Sequence, residues 1–272
     1  MYTETDTLLS LKEVNLTLGD NKILRDINLE IKDIVGVGQV NTLLGRSGVG
    51  KTKLMQCIAG LQRPTSGQIL IGKDQKSVRP GEVGMVLQDY PLFGHYTVLG
   101  NLKLVNSDKI KIEELLVEFD IWDHRNKWVG QLSGGQRQRV AIVQQLLCSD
   151  EFILLDEPFS GLDPVATEKL CLNITKVANH KDQNTVIISS HVLEPSIAIS
   201  DTVIMVGHEY EPPFPGGDTT PTKTVAERKI PGATIVKEID LAAQGLAWNP
   251  EIRRDPRFTS MIEDIRQIFK EI

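Results

Sequence analysis

The chain has 272 residues, 40% hydrophobic and 24% charged, with 36 acidic against 30 basic side chains and a formal net charge of −6. That size and balance suit one large globular domain plus an appendage, and the negative charge argues against a generally basic surface, so nucleic acid is not expected as a partner. No stretch approaches the roughly 18 consecutive apolar residues of a membrane span, and the start Met1-Tyr2-Thr3-Glu4 lacks a leader pattern, so any membrane connection is expected to run through another subunit.

In chain order, β-rich runs at Leu8 to Leu18, Ile23 to Ile31 and Val40 to Leu44, broken by Gly19-Asp20-Asn21, predict an antiparallel sheet leading into a core strand. A helix follows from Lys51 to Leu61, with Leu54, Met55 and Ile58 on one face. Gln68 to Ile71 and Gly84 to Leu87 predict strands. Ile112, Leu115, Leu116 and Phe119 fall at helical spacing inside a helical insertion of about residues 89–135. Helix (Gln136 to Cys148), strand (Phe152 to Leu155), helix (Pro164 to Ala178), strand (Thr185 to Ser189), helix (Val192 to Ser200) and strand (Thr202 to Val206) then alternate. Such alternation predicts an α/β fold with a mainly parallel sheet covered on both faces.

Asp163 before Pro164 is a good helix start, an N-cap acid followed by proline at the first helical position. The character changes at Gly207, so a main domain over 1–207 and an extension over 208–272 are expected. The extension opens with a proline-rich interruption from about Glu209 to Ile230 and ends in an apolar helical stripe of Ile262, Ile265, Phe269 and Ile272, which is expected to dock on the chain's own surface. Cys57, Cys148 and Cys171 lack CxxC spacing, which suits a reducing compartment and small buried apolar residues.

Two segments carry chemistry. Gly45-Arg46-Ser47-Gly48-Val49-Gly50-Lys51-Thr52 fits the phosphate-loop pattern, in which glycines let backbone N–H groups converge on phosphate oxygens at a helix N-terminus. Lys51 would reach the β and γ phosphates of ATP, and Thr52 would offer its hydroxyl to Mg²⁺. Glu151-Phe152-Ile153-Leu154-Leu155-Asp156-Glu157 is an apolar strand ending in two acids at the phosphate-bearing edge of the sheet. Asp156 is expected to hold Mg²⁺ through water, and Glu157 to act as general base toward the attacking water.

With Leu132-Ser133-Gly134-Gly135-Gln136 between these segments, the chain resembles the ATP-binding cassette (ABC) ATPases of membrane transporters over roughly residues 8–206. The resemblance implies a P-loop NTPase core of RecA-like type, an antiparallel β subdomain and a helical insertion. It also implies that Gln88 is the glutamine-loop residue that senses Mg²⁺ and the attacking water. Ser160-Gly161-Leu162-Asp163 resembles the family's D-loop, and His191 its switch histidine at the γ-phosphate. Ser133, Gly134, Gly135 and Gln136 would close over ATP held by the P-loop of a second copy or a similar cassette, giving a head-to-tail dimer. The expected partners are integral membrane permease subunits and a substrate-binding protein. The expected place is the cytoplasmic face of the cell membrane.

Four departures stand out against the family. Leu18 occupies the position of the usual adenine-stacking aromatic, Asn41 is polar in a strand that should be buried, Val143-Gln144 replaces the common alanine-arginine, and the stretch from Gln88 to Leu132 is short. An importer is favoured because the cassette carries no fused membrane span. The segment Pro231 to Glu238 loosely resembles the end of cassettes in nitrate, sulfonate and taurine importers. A soluble cassette ATPase acting on DNA or ribosomes is the alternative, opposed by the lack of long coiled coils or a second cassette. A catalytically silent regulatory cassette is opposed by intact Lys51, Asp156, Glu157 and His191.

Overall fold

Alternation of apolar and polar residues decides which side of each strand is buried, and it builds two sheets of different kind in the computed structural model, which describes residues 4–149, 152–179, 185–210, 229–249 and 251–271. The first is antiparallel. Strands β1 (Glu4–Leu18) and β2 (Asn21–Ile34) turn at Gly19, and β4 (Ser66–Ile71) and the short β5 (Lys76–Ser77) extend the order to β2-β1-β4-β5. Along β2, Ile27, Leu29 and Ile31 are buried while their neighbours face outward, the signature of a sheet with one wet face.

The second sheet has the order β10-β9-β3-β8-β7-β6. It comprises β3 (Gln39–Leu44), β6 (Gly84–Val86), β7 (Phe152–Asp156), β8 (Thr185–Ser190), β9 (Thr202–Gly207) and β10 (Thr234–Asp240). Every pairing in it is parallel except β9 with β10. Its central strands are buried on both faces, as parallel strands under helices must be. Ile153, Leu155, Val186 and Ile188 point into a core shared with the helical insertion. Leu154, Ile187, Ile204 and Val206 point the other way, into a core shared with the antiparallel sheet.

The helices are α1 (Lys51–Ile58), α2 (Val98–Lys103), α3 (Lys109–Glu118), α4 (Gly134–Cys148), α5 (Pro164–Asn179), α6 (Leu193–Ala198) and α7 (Pro256–Glu271). Helix α2 was not marked by periodicity. It is six residues long and owes its start to Thr97, whose hydroxyl caps the Gly100 N–H. Asp163 caps α5 by accepting from Ala166 N at 2.9 Å. Cys57 and Cys171 are buried, and burial pushes both thiols up to about 11. Cys148 is exposed at the end of α4, which corrects the expectation for that residue.

The residues after Gly232 return to the main sheet. Ala233 exchanges backbone hydrogen bonds with Ile23 and Arg25 of β2, and β10 then runs along β9 as the sheet's edge. Asp201 ties this edge to the centre: its Oδ2 accepts from Val40 N at 2.6 Å, and its carbonyl accepts from Leu241 N at 2.8 Å. Helix α7 docks on the chain's own surface, as expected, but through Phe258, Met261 and Ile265, with Ile262, Ile268 and Phe269 at the flank. The helix begins at Pro256, ahead of the predicted stripe, so Phe258 and Met261 extend the same apolar face toward its N-terminus. Ile272 and most of the proline-rich interruption lie outside the described residues.

Candidate active site

All the candidate phosphate-handling strands end on one edge. The parallel register puts Asp156 opposite Ser189 and Leu44 opposite Ser190, so Gly45, Glu157 and His191 leave the sheet side by side. In open parallel sheets this carboxyl edge is where ligands bind.

The loop after β3 needs two left-handed glycines, Gly48 at φ 80° and Gly50 at φ 112°, before α1 begins at Lys51. Lys51 is 4% exposed, and its ammonium group donates to Gly45 O at 2.8 Å, to Arg46 O at 3.1 Å and to Glu157 Oε1 at 3.0 Å. Those three contacts use all three protons of the group. A phosphate oxygen entering the loop would therefore exchange with the carboxylate rather than add to it.

Glu157 adopts φ 47°, a left-handed conformation that a side-chain-bearing residue holds only under constraint. The constraint is visible: its N–H donates to Ser189 Oγ at 2.9 Å and to Ser189 O at 3.1 Å. Its Oε2 lies 2.7 Å from His191 Nδ1. Asp156 is 6% exposed, and its Oδ1 accepts from Thr52 Oγ1 at 3.0 Å and from Ser189 Oγ at 2.6 Å. A buried carboxylate beside a threonine hydroxyl is an all-oxygen donor set. It fits Mg²⁺, which takes one or two carboxylates together with substrate phosphates.

Gln88 follows β6 and donates to Ser160 Oγ at 3.4 Å, three residues beyond Glu157. Tyr90, also left-handed, is bonded to Gln138, whose amide donates to Pro158 O at 3.3 Å. Burial pushes the Tyr90 phenol up to about 12, with the Gln138 bond opposing. The glutamine segment, α4 and the turn after Glu157 are thus joined by hydrogen bonds.

Ser133 to Gln136 stand apart. Ser133 and Gln136 cap α4 reciprocally, Gln136 N donating to Ser133 Oγ at 3.3 Å and Ser133 N to Gln136 Oε1 at 2.9 Å. Ser133, Gly134 and Gly135 are exposed, and among the described residues no hydrogen bond joins them to the Gly45 to Thr52 loop. Asp163 is likewise exposed, with its carboxylate occupied as the α5 cap.

The ABC transporter family profile matches residues 24–160, half of the chain. The chain belongs to this family. Among its ABC relatives, the aliphatic sulfonates import ATP-binding protein of Rhodopseudomonas palustris is 34% identical over 206 residues, 73% of this chain and 70% of the relative. The Fe(3+) ions import ATP-binding protein of Photobacterium profundum is 35% identical over 214 residues, 75% of this chain but 60% of that protein. The chain therefore spans less than two thirds of such iron-import relatives. The solved structure of cbiO1 from Clostridium perfringens, part of the ABC transporter complex cbiONQ, superposes with a TM-score of 0.65 at 28% identity, over 74% of this chain and 85% of that one.

Ser189, Gln138 and Asn101 were not singled out from the sequence. A signal existed for Ser189, a hydroxyl ending an otherwise apolar strand. Asn101 is fully buried, bonds Phe93 N and O at 2.8 and 3.1 Å, and receives Gln144 Nε2 at its own carbonyl at 3.3 Å. That bond accounts for Gln144, one of the departures from the family pattern. Asn41 keeps a buried Nδ2 without a partner among the described residues, and nothing in the structure explains it.

Proposed function

We propose that the chain is the ATP-hydrolysing, energy-coupling subunit of an ABC membrane transporter, of importer type, acting as a head-to-tail pair that closes on ATP and opens after hydrolysis. The observation that carries this reading is the contact sequence Lys51, Glu157, His191, in which one carboxylate is shared between the phosphate-loop cation and the switch imidazole.

On this reading a γ-phosphate oxygen takes over the Lys51 ammonium, and Glu157 is released to accept a proton from the attacking water, oriented by His191. Thr52 and Asp156 hold Mg²⁺ with Gln88 nearby, and the bound ion would offset charge on the β and γ oxygens. The loop residues Gly45, Arg46, Ser47, Gly48, Val49 and Gly50 cradle the phosphates. Ser133 and the N–H groups of Gly134 and Gly135, exposed at the start of a 15-residue helix, supply the second half of the site to a partner's nucleotide. Gln136 positions them through the cap, and Asp163 shapes the segment between the two copies.

Support for a membrane partner comes from the aromatic group Phe93, His95 and Tyr96 just after Gln88, in which Phe93 is 53% exposed. Exposed aromatics beside a switch residue are what a docking permease helix would cover. Among the described residues no helix is long and apolar enough to cross a membrane. On the proposed reading the chain is a peripheral subunit on the cytoplasmic face that works with separate permeases and a substrate-binding protein. The names of the relatives support import.

The test is Glu157→Gln. The variant should bind ATP with Mg²⁺, run as a dimer on size exclusion, and hydrolyse about 10² to 10⁴ times more slowly. Unchanged turnover, or a monomer with ATP bound, would reject the reading.

A further inference from the structure

Helix α7 reaches the same edge of the sheet as the phosphate loop. A cavity of about 440 Å³ is lined by Arg46 of the loop, His191 and Leu193 after β8, and Arg266, Phe269 and Lys270 of α7. Three of the six lining residues are permanently cationic, a fourth is imidazole, and none is acidic. Among the described residues Arg46, Arg266 and Lys270 form no ion pair, whereas Arg253 and Arg254 just before α7 and Arg257 in its first turn each hold a carboxylate.

Arg266 and Lys270 are four residues apart and share a helix face, where two like charges oppose the helix. Lys270 lies in the last turn and complements the helix dipole there, but Arg266 is a turn too early for that role. Nor does docking need them, because α7 is seated through Phe258, Met261 and Ile265. Their cost is offset once an anion enters. His191 has Nδ1 engaged by Glu157, which leaves Nε2 as the ring atom not bonded to that carboxylate.

We infer that α7, Arg46 and His191 together form a phosphate-anion site at the mouth of the nucleotide site, with Arg266 and Lys270 as its C-terminal contribution. The inference rests on the ATPase reading above. It gives the C-terminal helix a ligand: either the γ-phosphate end of bound ATP or free inorganic phosphate leaving after hydrolysis. Guanidinium suits either, since its fork binds phosphate oxygens in pairs.

The test compares wild type with Arg266→Ala/Lys270→Ala and with the charge-keeping Arg266→Lys/Lys270→Arg, using titration of ATP and ADP and inhibition of ATPase by inorganic phosphate. If the ligand is the γ-phosphate, ATP affinity falls about fivefold in the alanine pair while ADP affinity holds. If it is the released product, the inhibition constant for phosphate rises about fivefold with ATP affinity unchanged. The charge-keeping pair should restore most of either effect. Equal loss for ATP and ADP, or no change in any titration, overturns the anion site. A wild-type chain that binds no ATP at all would instead sink the ATPase reading.

Discussion

The two ends of the candidate site differ in how they satisfy their polar groups. At the phosphate loop Lys51, Thr52, Asp156, Glu157, Ser189 and His191 bond to one another, and Lys51 and Asp156 are buried. At the start of α4, Ser133 and Gln136 bond to each other across the cap, Gln136 also bonds His124, and Ser133 to Gly135 face outward. The first end supplies internal partners for Lys51, Asp156, Glu157 and His191. The second is finished locally and aimed away from its own chain, as expected of a surface that meets a nucleotide held elsewhere.

The largest effect that could break this contrast is complementation. Lys51→Ala and Ser133→Arg should each reduce ATP turnover by at least about 100-fold, since each removes charge stabilisation or the surface that completes it. Mixed together, random pairing gives half heterodimers with one intact composite site each, so about a quarter of wild-type turnover should return. If the mixture stays inactive, both ends serve the same chain and the contrast is misread.

A smaller effect is expected far from the nucleotide edge, at Asp201. Burial pushes this carboxyl from an ordinary 3.8 up to about 7, with the Val40 N–H opposing and nearby Asp240 assisting. Between those values the folded chain keeps a proton that the unfolded chain has released. Stability should therefore fall as pH rises through the window, by up to roughly 1.4 kcal/mol per pH unit, and level off above it. Asp201→Asn keeps an acceptor for Val40 and removes the ionisation. Its melting temperature relative to wild type should rise from pH 4 to pH 7, and a constant difference across that range would remove Asp201 as the cause.

The smallest effect concerns the base. Leu18 is half-buried next to the β1–β2 turn and offers no aromatic face. ATP and GTP turnover should agree within about threefold in wild type, and Leu18→Tyr should favour ATP by roughly 0.5–1.5 kcal/mol. A strong preference for ATP in wild type would place base recognition at another residue.

The phosphate loop, the acidic strand end and the positions of the main strands and helices were legible because each depends on neighbours within a few residues: glycines at fixed offsets, apolar periodicity, or an apolar run stopped by acids. What was not legible depends on chain segments far apart. Ser189 acquires its part only because the parallel register sets it opposite Asp156. Gln144 looked like an anomaly until Asn101, 43 positions away, supplied its acceptor. The return of Thr234–Asp240 to the sheet edge depends on Asp201 and on Ala233 meeting β2, contacts that local pattern does not encode.

The single hydroxyl of Ser189 bridges the two acids. It donates to the Asp156 carboxylate and accepts from the Glu157 N–H, and it stands two residues before His191 on a strand clamped between β3 and β7. His191 in turn meets the Glu157 carboxylate, so the imidazole and both acids belong to one bonded network, and a ligand that engages the imidazole bears on the same groups that would act on it.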